Sequence, residues 1–91
     1  MSQTTHSATT IIVNDRGLHA RAAAKFVAIA AGFSSDIHVC GNGERVDASS
    51  IMELLMLGCS KGKQLTIHAD GEDAANALRA LVALVDAGFG E

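Results

Sequence analysis

The sequence predicts an α+β fold in which helices gather on one face of a mixed or antiparallel sheet. Apolar residues alternate with period two over residues 36–40 and 63–69, as in half-buried strands. They recur at helical spacing after His19 and again after Asp73, each time as one stripe that needs cover. The order strand, helix, two strands, helix, strand, helix buries those stripes most simply by layering the helices on one side of the sheet. At 91 residues the chain is read as a single domain, 1–91, with a modest core.

Taken in order, residues 1–7 are polar and are expected as a flexible tail that includes His6. Thr9-Thr10-Ile11-Ile12-Val13 is β-branched and predicts the first strand. The turn Asn14-Asp15-Arg16-Gly17 follows, with Gly17 free to take positive φ. A helix is predicted from about Ala20 to Ala31, with Ala23, Phe26, Val27 and Ala30 inward, Lys25 outside and Gly32 as the stop. Residues 36–40 place Ile37 and Val39 on one face and His38 on the other, and Gly41-Asn42-Gly43 is a hairpin signal returning through Glu44-Arg45-Val46.

Asp47, Ser49 or Ser50 is expected to cap a short second helix that Gly58 closes. Residues 51–57 are apolar nearly all round, so both faces cannot enter one core. Leu54 and Leu57 fall on one side, and Ile51, Met52, Leu55 and Met56 form a contiguous patch opposite. In the last strand Leu65 and Ile67 point inward against Thr66 and His68. Asp70 is expected to cap the third helix, whose stripe is Ala74, Leu78, Leu81, Val82 and Val85, ending near Gly88.

Composition narrows the function. Hydrophobic residues make up 48% of the chain and aromatics 3%, so the core is aliphatic, with Phe26, Phe33 and Phe89 its large rings. A net charge of -3 argues against nucleic acid as a partner, because phosphate backbones require a basic surface. No apolar run approaches a membrane span, so no membrane insertion is expected. Two cysteines without a secretory leader predict a reducing, cytoplasmic setting.

The residues that carry chemistry stand where the first turn meets the first helix. His19 and Arg21 occupy this junction, with Arg16 and Lys25 near it in sequence. A helix start leaves backbone N–H groups unpartnered and carries the positive end of the dipole, which favours phosphate. Histidine can act there as a nucleophile, and arginine can clamp phosphate oxygens with its planar fork. An arginine in the first turn otherwise opposes the dipole, so a functional role explains it better than chance placement.

The order Gly17-Leu18-His19-Ala20-Arg21, with Ser50-Ile51-Met52, Gly58 and Gly71-Glu72-Asp73-Ala74, resembles the histidine-containing phosphocarrier (HPr) family of the bacterial phosphotransferase system. The likeness runs from about Thr9 to Gly90. It implies an open-faced β-sandwich, a four-stranded antiparallel sheet of order 1-4-2-3 with three helices on one face. It also implies that the Nδ1 of His19 accepts a phosphoryl group from an enzyme I-type donor and passes it to a downstream EIIA-type acceptor. Arg21 and the backbone of Ala20, Arg21 and Ala22 would hold the phosphate, with no cofactor and a monomeric carrier. The protein would then be a stoichiometric phosphoryl-transfer partner rather than a turnover enzyme. Ser50 matches the family's regulatory serine, the target of a serine kinase/phosphorylase, and Ile51, Met52, Leu55 and Met56 would form the partner-binding face. The family usually has proline after the arginine, where this chain has Ala22; that departure points toward the nitrogen-regulatory branch as an alternative to sugar transport.

Two rivals follow from the same residues. One is a regulatory binding module that changes partners with phosphorylation at His19 or Ser50. The other is a small hydrolase using His19 as base, which lacks an accompanying nucleophile beyond Asp15. Metal binding is not expected, since His38 and His68 have no CxxC partner, and Cys40 and Cys59 are expected as small core filler.

Overall fold

The structure is a computed structural model that describes residues 5–91. Its elements are strand β1 (Thr5–Ile11), helix α1 (Ala20–Ala30), strands β2 (Asp36–Gly41) and β3 (Glu44–Asp47), helix α2 (Ile51–Met56), strand β4 (Gln64–Asp70) and helix α3 (Ala74–Asp86). A 3-10 turn, Gly88–Gly90, follows. The strands form one sheet of order β1-β4-β2-β3, and every pairing in it is antiparallel. The helices cover one face, with α3 across β1 and β4 and α1 between α2 and α3. This is the open-faced sandwich that the resemblance implies.

Alternation decides which side chains meet that layer. Ile37, Val39, Leu65, Ile67 and Ala69 point into a core completed by Phe26, Leu54, Leu81, Val85 and Phe89. The hairpin between β2 and β3 turns on Asn42 and Gly43, both with positive φ (50° and 79°), as the twist of a two-residue turn requires. The Asn42 side chain then donates to the Leu57 carbonyl at 2.8 Å, tying the hairpin to the end of α2.

Several expectations are corrected. The first strand begins at Thr5, so residues 5–7 are sheet rather than tail; Thr5, His6 and Ser7 pair with Asp70, Ala69 and His68 of β4. The tail reading of residues 1–4 lies outside the described residues. Asp70 ends β4 and does not cap α3, whose N-cap is Asp73. The Asp73 carboxylate leaves its own helix uncapped and accepts from the backbone N–H groups of Ser34 (2.8 Å) and Ser35 (3.0 Å) and from both hydroxyls. These bonds, the Ser35 hydroxyl foremost, hold its pKa below the usual carboxylate range.

Gly32 follows α1 without the positive φ of a glycine stop, its N–H bonded to the Ile29 carbonyl. Cys40 is half-exposed, because it stands two residues from His38 and so shares His38's outer face; Cys59 is buried as expected. Lys25 is not fully outside: its ammonium reaches the Phe89 carbonyl at 2.7 Å.

Candidate functional site

The site is built where the chain leaves β1 and enters α1. Asn14 is buried, accepts the Gly17 N–H through its backbone carbonyl (3.1 Å), and donates from its side chain to the Gly17 carbonyl (2.9 Å). Gly17 has φ +65°, and a Cβ there would lie 2.6 Å from the Cys59 carbonyl oxygen and 2.8 Å from Ser60 Cα. Only glycine fits that approach. Leu18 is buried, and its N–H donates to the same Cys59 carbonyl at 3.0 Å. The loop is thus clamped from both sides before it delivers His19.

His19 is the N-cap of α1, with extended backbone (φ -84°, ψ -179°), and its side chain makes no capping bond. Its carbonyl accepts the Ala23 N–H at 2.8 Å. The N–H groups of Ala20, Arg21 and Ala22, the first three of the helix, are therefore those that helix geometry leaves without internal partners. Among the described residues Arg21 has no hydrogen bond or ion pair, so its guanidinium fork is free and exposed. Arg16, Arg21 and Lys25 line one cleft together with Gly90 and Glu91. The backbone donors, Arg21 and His19 of the expected site are brought together at one mouth.

Sequence reasoning missed Glu91. Its carboxylate contacts His19 Nε2 with one oxygen and accepts from the Asn14 amide at 3.2 Å with the other. The bond from His19, then that from Asn14, with the charge of Arg16 adding to them, lowers the Glu91 pKa below the ordinary glutamate value. An ionised carboxylate only accepts, so Nε2 carries a proton, and in the neutral ring Nδ1 then keeps its lone pair. Among the described residues no group bonds to Nδ1. Lys25, expected on the outside of α1, holds the backbone of the same segment through the Phe89 carbonyl.

The second expected region is α2. Ser50 is its N-cap and is not free in the first turn: its hydroxyl accepts the Glu53 N–H at 3.2 Å. Asp47 instead accepts the Ser49 N–H (2.8 Å), and Glu53 accepts the Asp47 N–H (3.2 Å). Leu54 and Leu57 are buried, while Ile51, Met52 and Met56 are exposed, Met52 and Met56 by about 70% each. Leu55, expected with them, is half-buried against the core, being one residue and about 100° round the helix from Leu54. Gly58 closes α2 with φ +62°, and the chain beyond it, Cys59 and Ser60, is the segment pressed against Gly17. The exposed face thereby joins the His19 loop through its C-terminal end.

On the outer sheet face His38 and His68 are direct cross-strand partners. Among the described residues no cluster of three or more His, Cys, Asp or Glu side chains could hold a metal ion.

Comparison with known proteins agrees with the fold and gives the family. Residues 6–87 match the family model described as "PTS HPr component phosphorylation site". The chain is 46% identical over 80 residues to the phosphocarrier protein HPr of Neisseria meningitidis serogroup A, covering 88% of this chain and 90% of that one. It is 44% identical to the phosphocarrier protein NPr of Shewanella violacea, covering 88% of each. The crystal structure of HPr-C-His from Thermoanaerobacter tengcongensis superposes with a TM-score of 0.90 at 44% identity, over 94% of this chain and 97% of that one.

Proposed function

Because the chain belongs to the PTS HPr family, we propose that it is a phosphocarrier whose His19 takes a phosphoryl group from an enzyme I-type protein and hands it to an EIIA-type acceptor. The observation that carries the assignment to His19 is its free Nδ1 at an open helix start beside an unpaired Arg21. In the transfer the Nδ1 lone pair attacks phosphorus. The bond from phosphorus to the donor's leaving atom breaks, and its electron pair stays with the donor. The Ala20, Arg21 and Ala22 N–H groups and the Arg21 fork then face the phosphoryl oxygens. Such a site is sparse for phosphoryl transfer, so the partner proteins supply the remaining charge stabilisation.

Ile51, Met52 and Met56 serve as the docking face, since flexible methionines suit a surface shared by different partners. The chain works as one carrier domain, 1–91, monomeric and cytoplasmic; among the described residues no helix is long and apolar enough to cross a membrane. Ser50, at the edge of that face, is a candidate for modification by a serine kinase. The test is to charge the protein with enzyme I and labelled phosphoenolpyruvate and then add an EIIA-type acceptor. Acid-labile label that enters and then leaves supports the carrier. Label that enters but never leaves supports a switch module phosphorylated at His19, and no uptake refutes the carrier.

A further inference from the structure

We propose that His38 and His68, opposed on the uncovered face of the sheet, chelate a divalent transition-metal ion of the zinc type through one ring nitrogen each. The site is separate from the His19 mouth and does not depend on the phosphocarrier reading.

Sheet register makes the pair. His38 of β2 and His68 of β4 are direct partners in the antiparallel ladder. Their strand neighbours Ile37, Val39, Ile67 and Ala69 are buried, so both rings lie on the face that no helix covers. Residues opposed in this way hold their Cβ atoms about 4.5–5.5 Å apart. Two imidazoles at that spacing can each bring a nitrogen to about 2.0–2.1 Å from one ion. The pair lines one cleft of the outer face with Asp36, Asp70 and Arg45. Among the described residues neither ring has a hydrogen bond or an ion pair, so each has a nitrogen to offer.

The surroundings favour a cation. Asp36 and Asp70 are themselves direct partners, next to the histidines on the same face, and Asp47 of β3 stands opposite His38. Like charges facing each other weaken a sheet, and an ion between the strands offsets that repulsion. Three carboxylates stand against the one guanidinium of Arg45, which leaves a negative field around the rings. Among the described residues no three ligating side chains converge on one point. The chelate is therefore two imidazoles, with water completing the shell and the carboxylates acting through their charge. Imidazole suits zinc, copper or nickel, whereas calcium and magnesium take oxygen ligands. The bound ion clips β2 to β4 and stabilises the folded chain by mass action.

The experiment titrates zinc into ¹⁵N-labelled protein at neutral pH and follows the rings of His6, His19, His38 and His68. The ring nitrogens of His38 and His68 are expected to move together and to saturate at one ion per chain. The midpoint of thermal unfolding should rise with zinc concentration. His38→Gln and His68→Gln alter only the open sheet face, so their amide spectra should stay close to the parent's. Each should lower zinc affinity about tenfold or more. Asp36→Asn, which removes charge but no ligand, should weaken binding less than either. The proposal is overturned if both rings stay still at millimolar zinc, or if His6 or His19 takes the ion instead. It is overturned too if either Gln variant binds zinc as the parent does. Calcium that moves the same resonances as strongly as zinc would make the carboxylates the ligands, and would equally overturn it.

Discussion

Helices α1 and α2 both begin on an extended residue, His19 and Ser50, and the two beginnings are finished differently. At Ser50 the hydroxyl turns inward to accept the Glu53 N–H, and just before the helix Asp47 accepts the Ser49 N–H. At His19 the side chain turns away from its own helix toward Glu91, and the first-turn donors stay open beside a free arginine. The same local geometry yields a side-chain-capped terminus in one place and, in the other, the uncapped one proposed to receive the phosphoryl group. What differs is whether the capping side chain spends its polar atoms on the helix. That difference explains why a residue poorly suited to capping stands at the start of α1.

Breaking the open end should have the largest effect. His19→Ala is expected to abolish phosphoryl uptake, measured with enzyme I and labelled phosphoenolpyruvate. The circular dichroism spectrum should be unchanged, because the half-buried side chain lies outside the core and caps nothing. Acid-labile label persisting in that variant would place the acceptor elsewhere.

Next in size is a pair within α2 that separates core from the proposed docking face. Leu54 is fully buried, so Leu54→Ala should cost about 2–5 kcal/mol in denaturant unfolding. Met52 is exposed, so Met52→Glu should change stability by less than about 0.5 kcal/mol. It should nonetheless weaken transfer to and from partners, whose transient contact buries under about 1,200 Å². A Met52→Glu protein that melts early would mean the face is covered.

Smaller again is Arg21→Ala, which removes charge-assisted bonds to the phosphoryl group but not the reacting atom. Single-turnover transfer should slow about tenfold or somewhat more. A parental rate would leave Arg21 as a bystander.

The closed end should respond least. Ser50→Ala loses a cap and should cost about 1 kcal/mol by thermal or chemical unfolding. Ser50→Asp keeps a capping oxygen and adds charge at the positive end of α2, partly offset by repulsion from Asp47 and Glu53. Stability should therefore stay within about 0.5 kcal/mol of the parent. The added charge at the edge of the docking face should still slow His19 phosphorylation at subsaturating donor. Parental kinetics would leave Ser50 as a cap alone.

Much of this contrast was legible in the sequence, and what escaped did so for physical reasons. The two faces of α2 were readable because six apolar residues among seven, interrupted only by Glu53, cannot share one core, and only Leu55 was misplaced, at the boundary between the faces. The helix start at His19 was readable from the turn residues before it and the alanines after it. The beginning of β1 was not, because Thr5, His6 and Ser7 are held by ladder bonds to β4 and not by an apolar pattern. Asp70 and Asp73 are equally good caps by type, and only Ser34 and Ser35, brought alongside by the fold, decide what Asp73 does. Glu91 joins His19 across 72 residues and Lys25 joins Phe89 across 64, contacts that leave no periodic trace. The misassigned face of Cys40 is different: alternation from His38 already placed it outward.

The most direct test of the open and closed caps is to phosphorylate ¹⁵N-labelled protein with enzyme I and phosphoenolpyruvate and compare amide and imidazole spectra before and after. The account predicts phosphorus bonded to Nδ1 of His19 and large shifts of the Ala20, Arg21 and Ala22 amides, with the Glu53 amide at the end of the Ser50 cap unmoved. Phosphorus on another nitrogen, or a Glu53 amide that shifts while those of Ala20 to Ala22 stay still, would contradict it.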